Sequence, residues 1–169
     1  LHINDGTIKF DNPNYVTTEW SKAHSKTILK AGDVMIVQTG DIGQCAAVPK
    51  EWEGCNCHAL IIVQLTQGYG SGEYLSAFLR SDYGRNVLLQ MQTGALHPHL
   101  ECGKVREIKV LLPPPDEHLE IMVYLNRRAS KLQATVHRVR EAIEKLREYR
   151  TALISAAVTG KIDVRGEAE

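Results

Sequence analysis

A chain of 169 residues, 43% of them hydrophobic, is long enough for one ordinary domain with a real core and an appended element. Its 20 basic and 20 acidic side chains cancel, which argues against a protein that holds nucleic acid by bulk electrostatic attraction. The first residues are polar and no apolar run reaches the roughly 20 residues that cross a bilayer, so we expect a cytoplasmic protein with no membrane contact.

The first half of the chain predicts a mixed β-sheet with short helices, because short apolar runs alternate there with glycine-containing turns. Two of the predicted strands are joined by a hairpin-like connection, Thr39-Gly40-Asp41-Ile42-Gly43. The predicted elements are, in chain order, strands at residues 33–38, 44–48 and 58–65, a helical stretch at 73–91 that forms either one helix or two with a break near Gly84, and a last alternating strand at 108–112.

The second half predicts one long helix. Three prolines, Pro113 to Pro115, mark its boundary, and neither proline nor glycine follows until Gly160, which suits a helix end. Apolar residues repeat every seven positions in two companion registers, which is the pattern of a coiled coil with one lapse at Arg150. The predicted coiled-coil interface consists of Met122, Leu125, Ala129, Leu132, Val136, Val139, Ile143, Leu146 and Leu153.

Such a narrow stripe fits a second long helix better than a globular body, so the helix is interpreted as a partner-binding element. The alternative is a long surface helix packed on its own domain. The predicted fold class is therefore α+β: a mixed β-sheet domain with short helices, followed by one long C-terminal coiled-coil α-helix.

Three blocks of sequence resemble the specificity subunits of type I restriction-modification enzymes. They are AGDVMIVQTGDIGQCAAV at residues 31–48, LLPPPDEHLEIMVYL at 111–125 and KLREYRTALISAAVTGKIDV at 145–164. His118 stands where the family usually has glutamine. The resemblance implies a DNA-binding target-recognition domain at residues 1–112, a proline boundary at 113–115, a conserved spacer helix at 116–160 and a tail at 161–169.

Members of this family hold two recognition domains separated by two antiparallel helices, and each domain reads one half of a bipartite DNA site. One domain followed by one helix resembles the C-terminal half of such a subunit, or a half-length subunit that works as a dimer. The implied partners are double-stranded DNA, methyltransferase and restriction subunits, and a second copy paired antiparallel through the long helix. The resemblance implies no catalysis in this chain and no cofactor.

The candidate DNA-binding residues are polar and basic side chains on predicted loops and turns, where donors and acceptors can reach a groove. For each, an ordinary solvated surface is the alternative. They are Lys22, Lys26 and Lys30 in the basic stretch, Gln38 and Thr39 at the hairpin, Arg80, Arg85 and Asn86 in the helical stretch, and Gln90, Gln92, Thr93, His97 and His99 in the loop that follows.

Two other function classes fit parts of the sequence. A coiled-coil interaction module without DNA binding is favoured by the zero net charge, and a small cytosolic enzyme would use Cys55, Cys57 or His97 in a deep pocket. A zinc site at Cys55-Asn56-Cys57-His58 with His97 and His99 lacks the usual paired spacing, so we expect no metal. The four cysteines are expected to be free thiols.

Overall fold

The computed structural model describes residues 2–9, 13–66, 68, 70–163 and 165–166. The chain divides into two compact units, residues 1–122 and 123–169. The first unit combines small antiparallel sheets with short helices, and the second continues the long helix. The predicted α+β class with a long C-terminal helix is confirmed. Part of the predicted tail, Val164 and residues 167–169, lies outside the described residues.

The first unit contains five strands, four α-helices and two short 3-10 helices within the described residues, and α5 begins in it. In chain order they are β1 (His2–Asn4), β2 (Thr7–Lys9), α1 (Thr18–Ala23), the 3-10 turn Ser25–Thr27, β3 (Val34–Val37), β4 (Cys45–Ala47), the 3-10 turn Lys50–Trp52, β5 (Leu60–Val63), α2 (Gly72–Arg80), α3 (Asp82–Gln90), α4 (Cys102–Arg106) and α5 (Pro115–Val158).

The central sheet has the order β4-β3-β5, and both pairings are antiparallel. Its middle strand is buried on both faces. Val34 and Ile36 pack with Leu79 and other residues of α2 and α3, whereas Met35 packs in a second cluster on the opposite face. This arrangement explains why β3 is a continuous apolar run, since neither of its faces meets water.

The three central strands occur where the sequence predicts them, each shorter by one or two residues at its ends. The helical stretch is broken as expected, but at Ser81 rather than at Gly84. The Ser81 hydroxyl accepts a hydrogen bond from the Gly84 backbone N–H at 3.2 Å and so caps α3. Gly84 instead lies inside α3, where the backbone of α2 comes close.

The predicted strand at residues 108–112 is wrong. This segment forms no strand in the described structure, and Ile108 and Val110 instead pack against the first core cluster. The hydroxyl of Tyr74 donates a hydrogen bond to the Leu111 carbonyl oxygen at 2.9 Å. The alternation of apolar and polar residues in this segment therefore reflects partial burial of Ile108 and Val110 against the core, without a neighbouring strand.

The long helix α5 runs without interruption for 44 residues, which corresponds to about 66 Å. It begins at Pro115, a position where the missing N–H costs nothing. Gly160 adopts a left-handed conformation (φ 71°), and the Lys161 N–H bonds the Ala156 carbonyl while the Gly160 N–H bonds the Ala157 carbonyl. This is a Schellman motif, so the helix has a defined end.

The first turns of α5 belong to the first unit. His118 is 7% exposed and stacks on Tyr74 with ring centroids 4.5 Å apart. The start of the helix is thereby fixed to α2 through an aromatic contact. Among the described helices none is both long and apolar enough to cross a membrane.

Candidate nucleic-acid interface

The hairpin between β3 and β4 presents a rigid polar tip. Gly40 (φ 79°) and Gly43 (φ 95°) take the left-handed conformation that the tight turn needs. Between them Ile42 is only 6% exposed, because its side chain packs into the first core cluster. Burial of Ile42 holds the tip in place and leaves Thr39 and Asp41 exposed at its end.

The loop after α3 is bonded to this hairpin. Thr93 and His99 exchange two backbone hydrogen bonds of 2.9 Å, which closes the loop on itself. The Leu100 N–H donates to the Gln38 carbonyl at 3.0 Å, and the Gln38 side-chain Nε2 donates to the Leu100 carbonyl at 3.0 Å. Two segments that are some 50 residues apart in sequence therefore form one surface.

A cleft of about 550 Å³ lies between the hairpin tip and the loop. It is lined by Thr39, Gly40, Asp41, Ile42, Leu89, Gln92, His97 and Pro98. Asp41 and His97 are the only ionisable side chains in this lining, which also combines the Thr39 hydroxyl and the Gln92 amide with apolar side chains. A lining that has hydrogen-bonding groups but no lysine or arginine suits contact with base edges, whereas phosphate binding calls for cations.

The structure brings together six of the predicted DNA-binding residues at this cleft and its immediate frame: Gln38, Thr39, Gln92, Thr93, His97 and His99. The Thr93 hydroxyl also donates to Glu101 Oε1 at 2.8 Å. Three further candidates, Arg85, Asn86 and Gln90, lie on α3, and the Arg85 side chain passes over Gly43 at the hairpin. Their roles in DNA binding remain predictions.

The other candidates lie elsewhere. Arg80 packs over Gly6 in the turn between β1 and β2. Lys30 precedes β3 and Gln38 follows it, so the whole strand, roughly 13 Å long, lies between them. Lys22 lies on α1, and Lys26 lines a different cavity of about 690 Å³ beside β5 and α4. None of these lysines lines the cleft.

Asp41 was not among the predicted site residues, although it lies in the hairpin. Leu89, which supplies part of the apolar lining, was also missed. The signal for Asp41 was visible as an acidic residue between the two hairpin glycines. Leu89 carried no signal, because only the tertiary fold shows which face of α3 meets the hairpin.

The cysteines form no cluster of potential metal ligands in the described structure, and two of the four thiols are buried. No group of three or more potential ligands lies together among the described residues, and all four cysteines are free thiols. Burial raises the pKa of Cys45 to about 11 and also raises the pKa of Cys57, so both thiols stay protonated at neutral pH. Neither Cys55 nor Cys57 lines either of the two cavities.

The second unit carries an exposed apolar stripe on α5. Leu132 is 68% exposed and Leu146 66%, and the other coiled-coil positions from Leu125 to Leu153 are also exposed. The ion pairs of the helix, His137–Glu141 and Glu144–Arg147, lie outside this stripe. In other proteins, large exposed apolar surfaces are typical of interaction sites.

These features define an α+β domain joined to a long helix with an exposed stripe. No protein-family model matches the sequence, and no curated protein is significantly similar to it. Among solved structures, the chain is similar to the HsdS subunit from Thermoanaerobacter tengcongensis, with a TM-score of 0.60 and 22% identity. The match covers 76% of this chain, and the chain spans about a third (34%) of that HsdS chain. The matched part of the chain therefore shares its fold with a segment of that HsdS subunit.

Proposed function

We propose that this chain recognises a DNA sequence as part of a type I specificity subunit and catalyses no reaction itself. The observation that carries this proposal is the cleft between the β3–β4 hairpin and the loop at residues 91–99. Its lining carries hydrogen-bonding groups but no lysine or arginine, and the buried Ile42 holds the hairpin in place. Such a surface reads base edges, while the weak overall charge keeps affinity for random DNA low.

The basic surface with Lys22, Lys26 and Lys30 is proposed to bind phosphates. Phosphate contacts fix the orientation of a protein on the duplex, and base contacts then specify the sequence. A protein with zero net charge needs such a local basic surface. The absence of these lysines from the cleft lining supports separate roles in phosphate binding and base reading.

The long helix is proposed to act as spacer and docking element. One domain reads one half of a bipartite site, and α5 pairs antiparallel with the α5 of a second copy, so that two domains address two half-sites. Methyltransferase and restriction subunits bind the paired helices and carry out DNA methylation and cleavage in the cytoplasm. Two observations support this arrangement: the exposed apolar stripe of α5 and the similarity of the chain's fold to part of an HsdS subunit.

Selection of bound duplexes from a randomised pool tests this function. The chain is incubated with the pool at physiological salt, with and without a type I methyltransferase subunit, and the bound fraction is sequenced. We expect one short enriched motif, bound more tightly when the subunit is present. Binding that stays equal for all sequences would overturn the proposal.

A coiled-coil interaction module without DNA binding is the competing function. The zero net charge and the exposed stripe favour it. It predicts self-association of the chain together with a flat titration against every duplex. The same selection experiment therefore separates the two functions.

A further inference from the structure

Asp41 has an unusual place for an acidic side chain. It is exposed at the tip of the hairpin and lines the cleft together with Gln92 and His97. The tip is fixed, because Ile42 is buried beside it and the Gln44 N–H donates to the Asp41 carbonyl at 3.3 Å. The backbone that carries the carboxylate is therefore held in place at the surface that we assign to DNA.

Nothing in the described structure neutralises this carboxylate. Asp41 takes part in no ion pair among the described residues, although Arg85 passes over Gly43, two residues further along the hairpin. A free carboxylate at a DNA surface is repelled by the phosphates, which weakens binding to every sequence. The repulsion is offset only where the carboxylate accepts a hydrogen bond from a base.

The chemistry of base edges selects one partner for such a group. In the major groove guanine and thymine offer the carboxylate no amino donor. Adenine offers its amino group, but the neighbouring N7 is an acceptor and repels a carboxylate oxygen. Cytosine presents its amino group without an acceptor of its own at that edge, and Asp and Glu are its usual readers.

We propose that Asp41 is a specificity-determining residue that accepts a hydrogen bond from the exocyclic amino group of a cytosine in the recognised half-site. This inference rests on the proposed function and adds the identity of one base to it. Asp41 favours cytosine through this hydrogen bond, and it disfavours other bases because their acceptor atoms repel the carboxylate oxygens.

The test compares the motif selected by the unchanged chain with that selected by Asp41→Asn. The amide of asparagine both donates and accepts, so it tolerates several bases. We expect the unchanged chain to require a cytosine at one position, and to lose about five- to 150-fold in affinity when that C·G pair is replaced by T·A. For Asp41→Asn the same replacement should change affinity less than about twofold, while the rest of the motif persists.

Glu53→Gln is the matched control, since Glu53 is an exposed acid beyond the opposite end of β4 from the hairpin. It should keep the cytosine requirement. Asp41→Ala provides a second variant if asparagine disturbs the tip, and thermal unfolding verifies that each variant is folded. An unchanged cytosine requirement in both Asp41 variants, or a motif without any fixed C·G pair, would overturn the role of Asp41. Failure of the unchanged chain to select any motif would instead overturn the proposed function.

Discussion

Gly84 allows the backbones of α2 and α3 to approach each other. A Cβ at this position would lie 2.6 Å from Leu79 Cα, and backbone atoms cannot move aside as a flexible side chain does. We therefore expect Gly84→Ala to lower the free energy of unfolding by about 1–3 kcal/mol, as measured by urea denaturation.

Gly103 is the control for this change. It lies in α4 with open space around its Cα, so Gly103→Ala should be neutral or stabilising by up to ~1 kcal/mol through helix propensity. Equal effects of the two substitutions would contradict the close approach of the helices.

Cys45 couples stability to alkaline pH. It is fully buried and its thiol donates to the Ser76 carbonyl at 3.5 Å. Burial raises its pKa from 9.0 to about 11, so between these values the unfolded chain releases a proton that the folded chain keeps. The contribution is fully present below pH 9, and the free energy of unfolding should fall as the pH rises to about 11.

The measurement is the difference between the unchanged chain and Cys45→Ala in urea denaturation at several pH values from 8 to 11. The substitution should flatten the decline with pH, whereas Cys102→Ala, which alters an exposed thiol, should leave it as it is. The same decline in all three proteins would contradict the assignment to Cys45.

The residues at the cleft differ in how well the sequence alone predicts their availability for DNA binding. Polar residues on a predicted loop, such as Gln92 and His97, were recognisable as candidate readers because their residue types make hydrogen bonds to bases. Gln38 was chosen for the same reason, yet its amide group bonds the Leu100 carbonyl. Which side chains are already occupied depends on long-range contacts, and these have no local signature.

At the scale of elements, the hairpin and the loop contain one residue that joins them and one that only lines the cleft, so substitutions at the two should affect stability and DNA affinity differently. Gln38→Ala removes the bond to Leu100 and should lower the free energy of unfolding by about 1 kcal/mol. It should also weaken DNA binding, because the loop at residues 91–99 loses its support.

Gln92→Ala gives the contrasting result. Gln92 lines the cleft, and its side chain makes no hydrogen bond to another described residue. Its removal should therefore change the free energy of unfolding by less than about 0.5 kcal/mol, while reducing affinity for the selected duplex. Urea denaturation and electrophoretic titration of both variants test this pair. Loss of stability in Gln92→Ala without loss of affinity would contradict the assignment of the cleft.

Elements with strong local patterns were predictable. The central strands are continuous apolar runs bounded by turns, and α5 lacks helix breakers between Asp116 and Thr159. The three-residue strands β1 and β2 and the five-residue helix α4 were not predicted, since such short segments carry little periodicity. The segment at 108–112 alternates as a strand does, but tertiary contacts leave it without a partner strand.

At the scale of the whole molecule, the stripe on α5 favours antiparallel pairing. In a parallel pair the two Arg150 side chains would occupy one layer and repel each other. In an antiparallel pair centred between Val136 and Val139, Arg150 faces Leu125, and the two arginines lie about 37 Å apart. Leu132 then faces Ile143, in two equivalent layers at either side of the centre.

We therefore expect the chain to sediment as a dimer and the double variant Leu132→Glu/Ile143→Glu to sediment as a monomer, because the substitutions place four carboxylates in two apolar layers. Ala134→Glu/Ala152→Glu adds the same charge on the opposite face of the helix and should remain dimeric. Monomeric behaviour of the unchanged chain at high concentration would count against the pairing.

The convergence of the β3–β4 hairpin and the loop at residues 91–99 on a single DNA-reading surface is the central claim. Hydrogen–deuterium exchange of the chain, with and without the selected duplex, tests it most directly. We predict slower exchange at residues 38–44 and 91–99, with a smaller effect around Lys22 to Lys30. Protection confined to other parts of the first unit, with the hairpin and loop unchanged, would contradict the account.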